Sequence, residues 1–244
     1  MSRAPLSRKT FKISDSLNRQ LNAYALAASA AGVSVLALAR ASEAKVVYTE
    51  THQVTRARVP LYIDLNHDGI KDFLVQTMFY VGSSGLEVGL NASGNPPGNA
   101  NNRVAGRRFS RSGYFSSAAF ALRAGARIGP KGNFSVSAPF MAVELFDGVG
   151  SQYSYLGAWA GTGEGVRDRY LGLKFVINGE VHYGWARLSV TLGHQRQFDD
   201  VSGTLTGYAY ETVPDKPIIA GQITGPDVIT VQPETLGGLA LGRK

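Results

Sequence analysis

Tyr170-Leu-Gly-Leu-Lys-Phe-Val-Ile-Asn178-Gly179-Glu-Val-His-Tyr-Gly-Trp-Ala-Arg-Leu188 is the stretch that decides how this chain folds. Two runs rich in aromatic and branched side chains flank Asn-Gly, a dipeptide that tolerates the positive φ angles of a type I′ turn, so the segment reads as a β-hairpin with a two-residue loop. That loop sets the register: Ile177 faces Glu180, Phe175 faces His182, Leu173 faces Gly184 and Leu171 faces Ala186. Side chains alternate across a strand, so one face carries Leu171, Leu173, Phe175, Ile177, Ala186 and Leu188, a core surface. The other carries Lys174, Val176, Tyr183, Trp185 and Arg187, with Trp185 across from Gly172. Tyr183, Trp185 and Arg187 form an aromatic and basic surface that either stacks on sugars or lies beneath further structure.

The rest of the chain after Lys45 keeps a period near two and lacks long amphipathic helical stretches, which makes it all-β. Further strands are expected at 45–49, 60–65, 73–81, 134–145 and 204–211, beside 170–177 and 181–191. Residues 91–102 (NASGNPPGNANN) read as a long polar surface loop. The alanine-rich stretch 116–127 fits a short helix or a connecting segment. Prolines at 214, 217, 226 and 233 mark residues 214–244 as a Pro/Gly-rich tail, too short in its apolar part to cross a bilayer.

The first 44 residues have another character. Six basic and two acidic side chains give them a net +4, and an alanine-rich apolar run from 21 to 39 precedes Ser42-Glu43-Ala44. Small residues three and one positions before the Ala44/Lys45 bond suit signal peptidase, so a helical signal peptide over 1–44 is expected. Ser7-Arg8-Lys9-Thr10-Phe11-Lys12 partly matches a twin-arginine signal. The mature domain then spans 45–213, is secreted to a periplasmic or extracellular space, and keeps no membrane span.

Formal charge is +7, of which the leader holds more than half. The remaining +3 is uneven: a carboxylate-free run, Arg103, Arg107, Arg108, Arg111, Arg123, Arg127 and Lys131, carries seven positive charges, and the rest of the chain after Ala44 sums to about −4. No helix or base-stacking pattern accompanies it, which argues against nucleic acid and for a solvated face. The chain has no cysteine, so disulfides, thiolate metal sites and cysteine nucleophiles are excluded. Histidines 52, 67, 182 and 194 show no zinc-ligand pairing.

Chemistry concentrates in Asp64-Leu-Asn66-His-Asp68-Gly69-Ile70-Lys-Asp72. A calcium loop needs side-chain oxygens at positions 1, 3 and 5, glycine at 6, a carbonyl at 7 and a further ligand at 9. Asp64, Asn66, Asp68, Gly69, Ile70 and Asp72 meet that spacing. Position 12 is Val75 in place of the bidentate glutamate of an EF-hand, which predicts Ca2+ binding at roughly 10⁻⁴–10⁻³ M. Magnesium, with its stricter octahedral demand, fits less well. The loop occurs once, so an array such as a β-propeller is not indicated.

No nucleophile elbow is present, and Gly161-Thr-Gly163-Glu-Gly165 does not follow a strand and open a helix as a dinucleotide loop must. Glu144, Asp147, Glu164 and Asp168 are the carboxylates that a glycoside hydrolase would have to pair.

Tyr62-Ile-Asp64-Leu-Asn66-His-Asp68-Gly69-Ile-Lys-Asp72-Phe73, then Tyr170-Leu-Gly172-Leu-Lys-Phe175, His182-Tyr183-Gly184-Trp185-Ala-Arg187-Leu and Gly207-Tyr208-Ala-Tyr210-Glu211-Thr resemble, in this order, an uncharacterised group of exported bacterial proteins. Many members of that group carry an exosortase-type (PEP-CTERM) sorting tail. The resemblance implies a secreted or surface β-sandwich of no known activity. Here the Pro-Glu-Pro motif, apolar helix and basic cluster of the tail are lacking, which implies free release. The expectation is a single jelly-roll-like β-sandwich, monomeric, with a structural calcium loop and an interaction role toward envelope polysaccharide or matrix. A glycan-binding module using Tyr183, Trp185 and Arg187 is the alternative, followed by a polysaccharide-active enzyme.

Overall fold

The computed structural model describes residues 45–82, 85–94, 101–108, 117–134, 139–146, 153–193 and 201–231. The expected signal peptide, Arg111, Asp147 and the last residues of the tail lie outside them. The described residues form an all-β sandwich. Its strands are β1 (Val46–Thr55), β2 (Leu61–Ile63), β3 (Phe73–Gly82), β4 (Gly85–Ser93), β5 (Arg103–Val104), β6 (Gly106–Arg108), β7 (Ser117–Ala119), β8 (Arg127–Ile128), β9 (Phe140–Phe146), β10 (Tyr153–Leu156), β11 (Val166–Ile177), β12 (Glu180–Leu192), β13 (Val201–Glu211), β14 (Ile218–Ile219) and β15 (Val228–Val231). One sheet has the order β15-β1-β13-β12-β11-β5; the facing sheet runs β2-β3-β4-β9-β7-β6, with β10 also on β9; β14 and β8 form a two-stranded ribbon.

The β11–β12 hairpin has the register its turn dictates, Ile177 opposite Glu180 through Leu171 opposite Ala186, with Trp185 opposite Gly172. Asn178 and Gly179 sit at φ 51° and 88°, as a type I′ turn requires. Leu171, Leu173, Phe175, Ala186 and Leu188 pack between the sheets against Ile63, Phe73, Val75 and Leu90 of the facing sheet.

The opposite face of the hairpin is a second core. Tyr183 and Trp185 are buried with Val46, Tyr48, Tyr170 and Ala209, beneath Ile128, Ile218 and Ala220. The indole lies 5.9 Å from the Tyr48 ring and 5.2 Å, edge-on, from that of Tyr170. Part of what covers it, Ile218 and Ala220, comes from the segment expected to be a tail. β14 pairs with β8, and β15 adds to the six-stranded sheet as a parallel neighbour of β1. The domain therefore extends past 213 to at least 231, because an apolar outer face holding a tryptophan must be shielded from water.

Other boundaries shift as well. Residues 117–127 form no helix; Ser117–Ala119 is a strand paired with β6. The polar loop is shorter than expected at both ends. Asn91 continues β4 between Gln76 and Phe140, and Asn102 is buried. Among the described residues, no helix is long and apolar enough to cross a membrane.

Candidate metal centre

The loop of residues 64–72 joins β2 to β3. Its ends are closed by the strand pairing of Ile63 with Phe73 and by the Asp72 N–H, which donates to the Ile63 carbonyl at 2.8 Å. Inside this closure two residues take the left-handed conformation, His67 at φ 59° and Gly69 at φ 88°, and so the backbone coils back over its own side chains. Asp64 Oδ2 accepts the Gly69 N–H at 3.0 Å, and Asp68 Oδ1 accepts the Ile70 N–H at 2.7 Å. Asn66 Nδ2 donates to Asp68 Oδ2 at 2.9 Å.

Two oxygens are left over. Asp64 Oδ1 and Asn66 Oδ1 are buried and accept no hydrogen bond, although a desolvated oxygen without a donor costs about 1–3 kcal/mol. They belong to the first and third positions of the loop, where a calcium ion takes side-chain ligands. Lys71 Nζ stands 3.9 Å from Asp64 Oδ2, at the edge of ion-pair range. Among the described residues no three acidic or imidazole side chains converge tightly enough to hold a metal by themselves. A cation here depends on the Asn66 amide oxygen and the Ile70 carbonyl as well as on carboxylates.

Asp72 has a different place from its neighbours. It is buried, and its Oδ2 accepts the Leu65 N–H at 2.8 Å, so it holds the base of the loop. Burial pushes its carboxyl up to about 6; the Leu65 N–H opposes this, while the charges of Asp64 and Asp68 add to it. Like charges nearby disfavour the ionised form of a carboxyl, and a bound cation would offset them.

The loop is also fastened to the other sheet. Asn102 Nδ2 donates to the Asp72 main-chain oxygen at 3.1 Å and to its Oδ1 at 3.4 Å, while Asn102 Oδ1 accepts the Val176 N–H of β11 at 3.2 Å. On the opposite flank His67 Nε2 and Thr49 Oγ1 of β1 are hydrogen-bonded at 2.8 Å, and the imidazole lies 5.9 Å from the Tyr208 ring. Desolvation against this sheet lowers the His67 pKa. Tyr208 and Tyr210 of β13 are both pushed up to about 12, first by burial and then by the carboxylates of the loop. Asn102, Thr49 and His67 were not readable as site residues, because their partners are distant in sequence.

Of the two readings of the aromatic face, coverage by further structure is the one observed, and glycan contact through Tyr183 and Trp185 is not. Tyr183 and Trp185 are buried in the second core, and Arg187 spends its guanidinium on Thr206, Nε donating to Oγ1 at 2.7 Å. Among the carboxylates considered for hydrolysis, Glu144 and Glu164 lie near enough to Tyr155 that, after burial, their charges raise its pKa. Glu144 is buried on β9 opposite Tyr155, Glu164 is exposed in a turn, and Asp168 sits at an irregularity of β11. No family model matches the chain, and neither the curated proteins nor the solved structures compared with it include a match.

Proposed function

We propose that this is an exported, monomeric β-sandwich of the cell envelope or extracellular matrix, of the kind its quoted motifs resemble. Its role is interaction, and no catalytic step is assigned to it. Calcium binds in the 64–72 loop through Asp64, Asn66, Asp68 and the Ile70 carbonyl, with Asp72 completing the site at its base. The ion is structural. By tightening a loop that is hydrogen-bonded to Thr49 on one side and through Asn102 to β11 on the other, it ties the two sheets together at one end of the sandwich.

The observation that carries this reading is the pair of buried oxygens, Asp64 Oδ1 and Asn66 Oδ1, that no hydrogen-bond donor reaches. Titration calorimetry with calcium is the test. One site with a dissociation constant of roughly 10⁻⁴–10⁻³ M is expected, lost in Asp64→Ala. Absence of a calcium signal at millimolar ion, with the protein folded, contradicts the reading.

A further inference from the structure

The β3–β4 hairpin carries exposed apolar side chains on both of its faces. Met78 is 43 % exposed on one, and Phe79 and Val81 are 40 % and 68 % exposed on the other. Phe79 and Val81 continue the inward-facing row of Phe73 and Val75, but lie beyond the part that the other sheet covers. A partner docking on one flat face would leave the opposite apolar face in water; immersion in an apolar layer satisfies both. From Phe79 to Gly82 the strand advances about 10 Å at roughly 3.3 Å per residue. Peripheral elements bury their apolar parts to a comparable depth of about 5–10 Å at the headgroup boundary.

Charge at the base of the arm matches this placement. The turn between β1 and β2 lies beside it through the Ala57–Thr77 bridge. That turn bears exposed Arg56 and Arg58, and the Arg58 guanidinium lies over the Phe79 ring, 5.9 Å from its centroid. Residues 51–60 and 73–82 contain no carboxylate. The nearest along the hairpin is Glu87, across from Tyr80, and burial raises its pKa. The exposed apolar side chains Met78, Phe79 and Val81 thus lie farther along the hairpin than the arginine-bearing turn beside Thr77.

We propose that this hairpin is a membrane-docking arm, seating Met78, Phe79 and Val81 in the interfacial layer of an anionic bilayer while Arg56 and Arg58 meet lipid phosphates. Exposed arginines of this kind are attracted to anionic lipid and lose that attraction in salt. The arm is independent of the calcium loop and does not span the bilayer.

The compact unit from Ala44 onward contains both apolar cores, so it can be tested alone. Sedimentation with vesicles of phosphatidylglycerol and phosphatidylcholine in equal parts should pellet the protein, and vesicles of phosphatidylcholine alone should pellet much less. The double variant Phe79→Ser/Val81→Ser should weaken binding at least about tenfold, and Met78→Ser, on the opposite face, should weaken it separately. Arg56→Gln and Arg58→Gln should each cost about fivefold. All these positions are exposed, and an unchanged melting temperature verifies the fold. Failure of the parent protein to pellet with the mixed vesicles overturns the proposal, as does full binding by the serine variant or equal binding to both lipids. A dimer in sedimentation velocity that the serine substitutions dissociate, with no vesicle binding, would assign the hairpin to self-association and overturn it too.

Discussion

Asn102 and Asp72, thirty residues apart in the chain, are joined by two hydrogen bonds from one amide, 3.1 Å to the Asp72 main-chain oxygen and 3.4 Å to its Oδ1. The same side chain accepts the Val176 N–H, so it links the candidate calcium loop to β11 of the opposite sheet. Replacing Asn102 with alanine leaves the buried Asp72 carboxylate and the Val176 N–H without these partners. Removing one partner from buried groups costs about 1–3 kcal/mol. For a domain of this size the melting temperature should fall by roughly 3–10 °C. Calcium affinity should fall with it, because the base of the loop loses its anchor. Differential scanning calorimetry in chelator, followed by titration, separates the two effects.

Acid should stabilise the calcium-free protein over a defined window. The Asp72 carboxyl is raised to about 6, first by burial, so the folded state holds its proton more tightly than the unfolded chain does. This contribution is present below the unfolded value near 4 and is lost as pH rises through about 6; it amounts to on the order of 3 kcal/mol. Urea denaturation in chelator should therefore show stability declining between pH 4 and pH 6. Asp72→Asn should flatten that decline. A profile that is the same in both proteins would remove Asp72 as its cause.

Trp185 tests the second core. The indole is fully buried between Tyr48 and Tyr170, and truncation of a buried tryptophan typically costs about 3–5 kcal/mol. Trp185→Ala should lower the urea midpoint accordingly. A variant as stable as the parent would mean that the indole is not packed as described.

Ending the chain at Val213 should be equally damaging. It removes Ile218 and Ala220 from above Tyr183 and Trp185, and with them the β15 strand alongside β1. The exposed aromatic face should bind a hydrophobic dye and drive association, which light scattering would register. A truncated protein that stays monomeric and melts like the parent would show that residues 214–231 are dispensable.

What could be read from the sequence divides by range. The β11–β12 hairpin was legible in its strands, face and register, because Asn178-Gly179 and the alternation on either side are local signals. The spacing of Asp64, Asn66 and Asp68 was legible for the same reason, and their loop does lie between two strands. β4 went unread, since Gly85 and Gly89 break up its apolar pattern and its pairing with β9 is non-local, although its pairing with β3 is a tight hairpin. The cover over Trp185 went unread too. Ile218 stands thirty-three positions further on, in a stretch whose prolines resemble a tail. Asn102 was hidden inside a run of asparagine and glycine, where nothing in composition distinguishes the buried amides of Asn91 and Asn102 from the exposed one of Asn101.

The most direct test of the central claim is thermal melting of residues 44–244 with and without calcium. At about 10 mM ion, ten times the weaker end of the expected affinity range, binding to the folded state alone adds about 1.4 kcal/mol. The melting temperature should rise by roughly 3–6 °C over that in chelator, and Asp64→Ala should abolish the rise. Identical melting curves with calcium and with chelator would contradict the account.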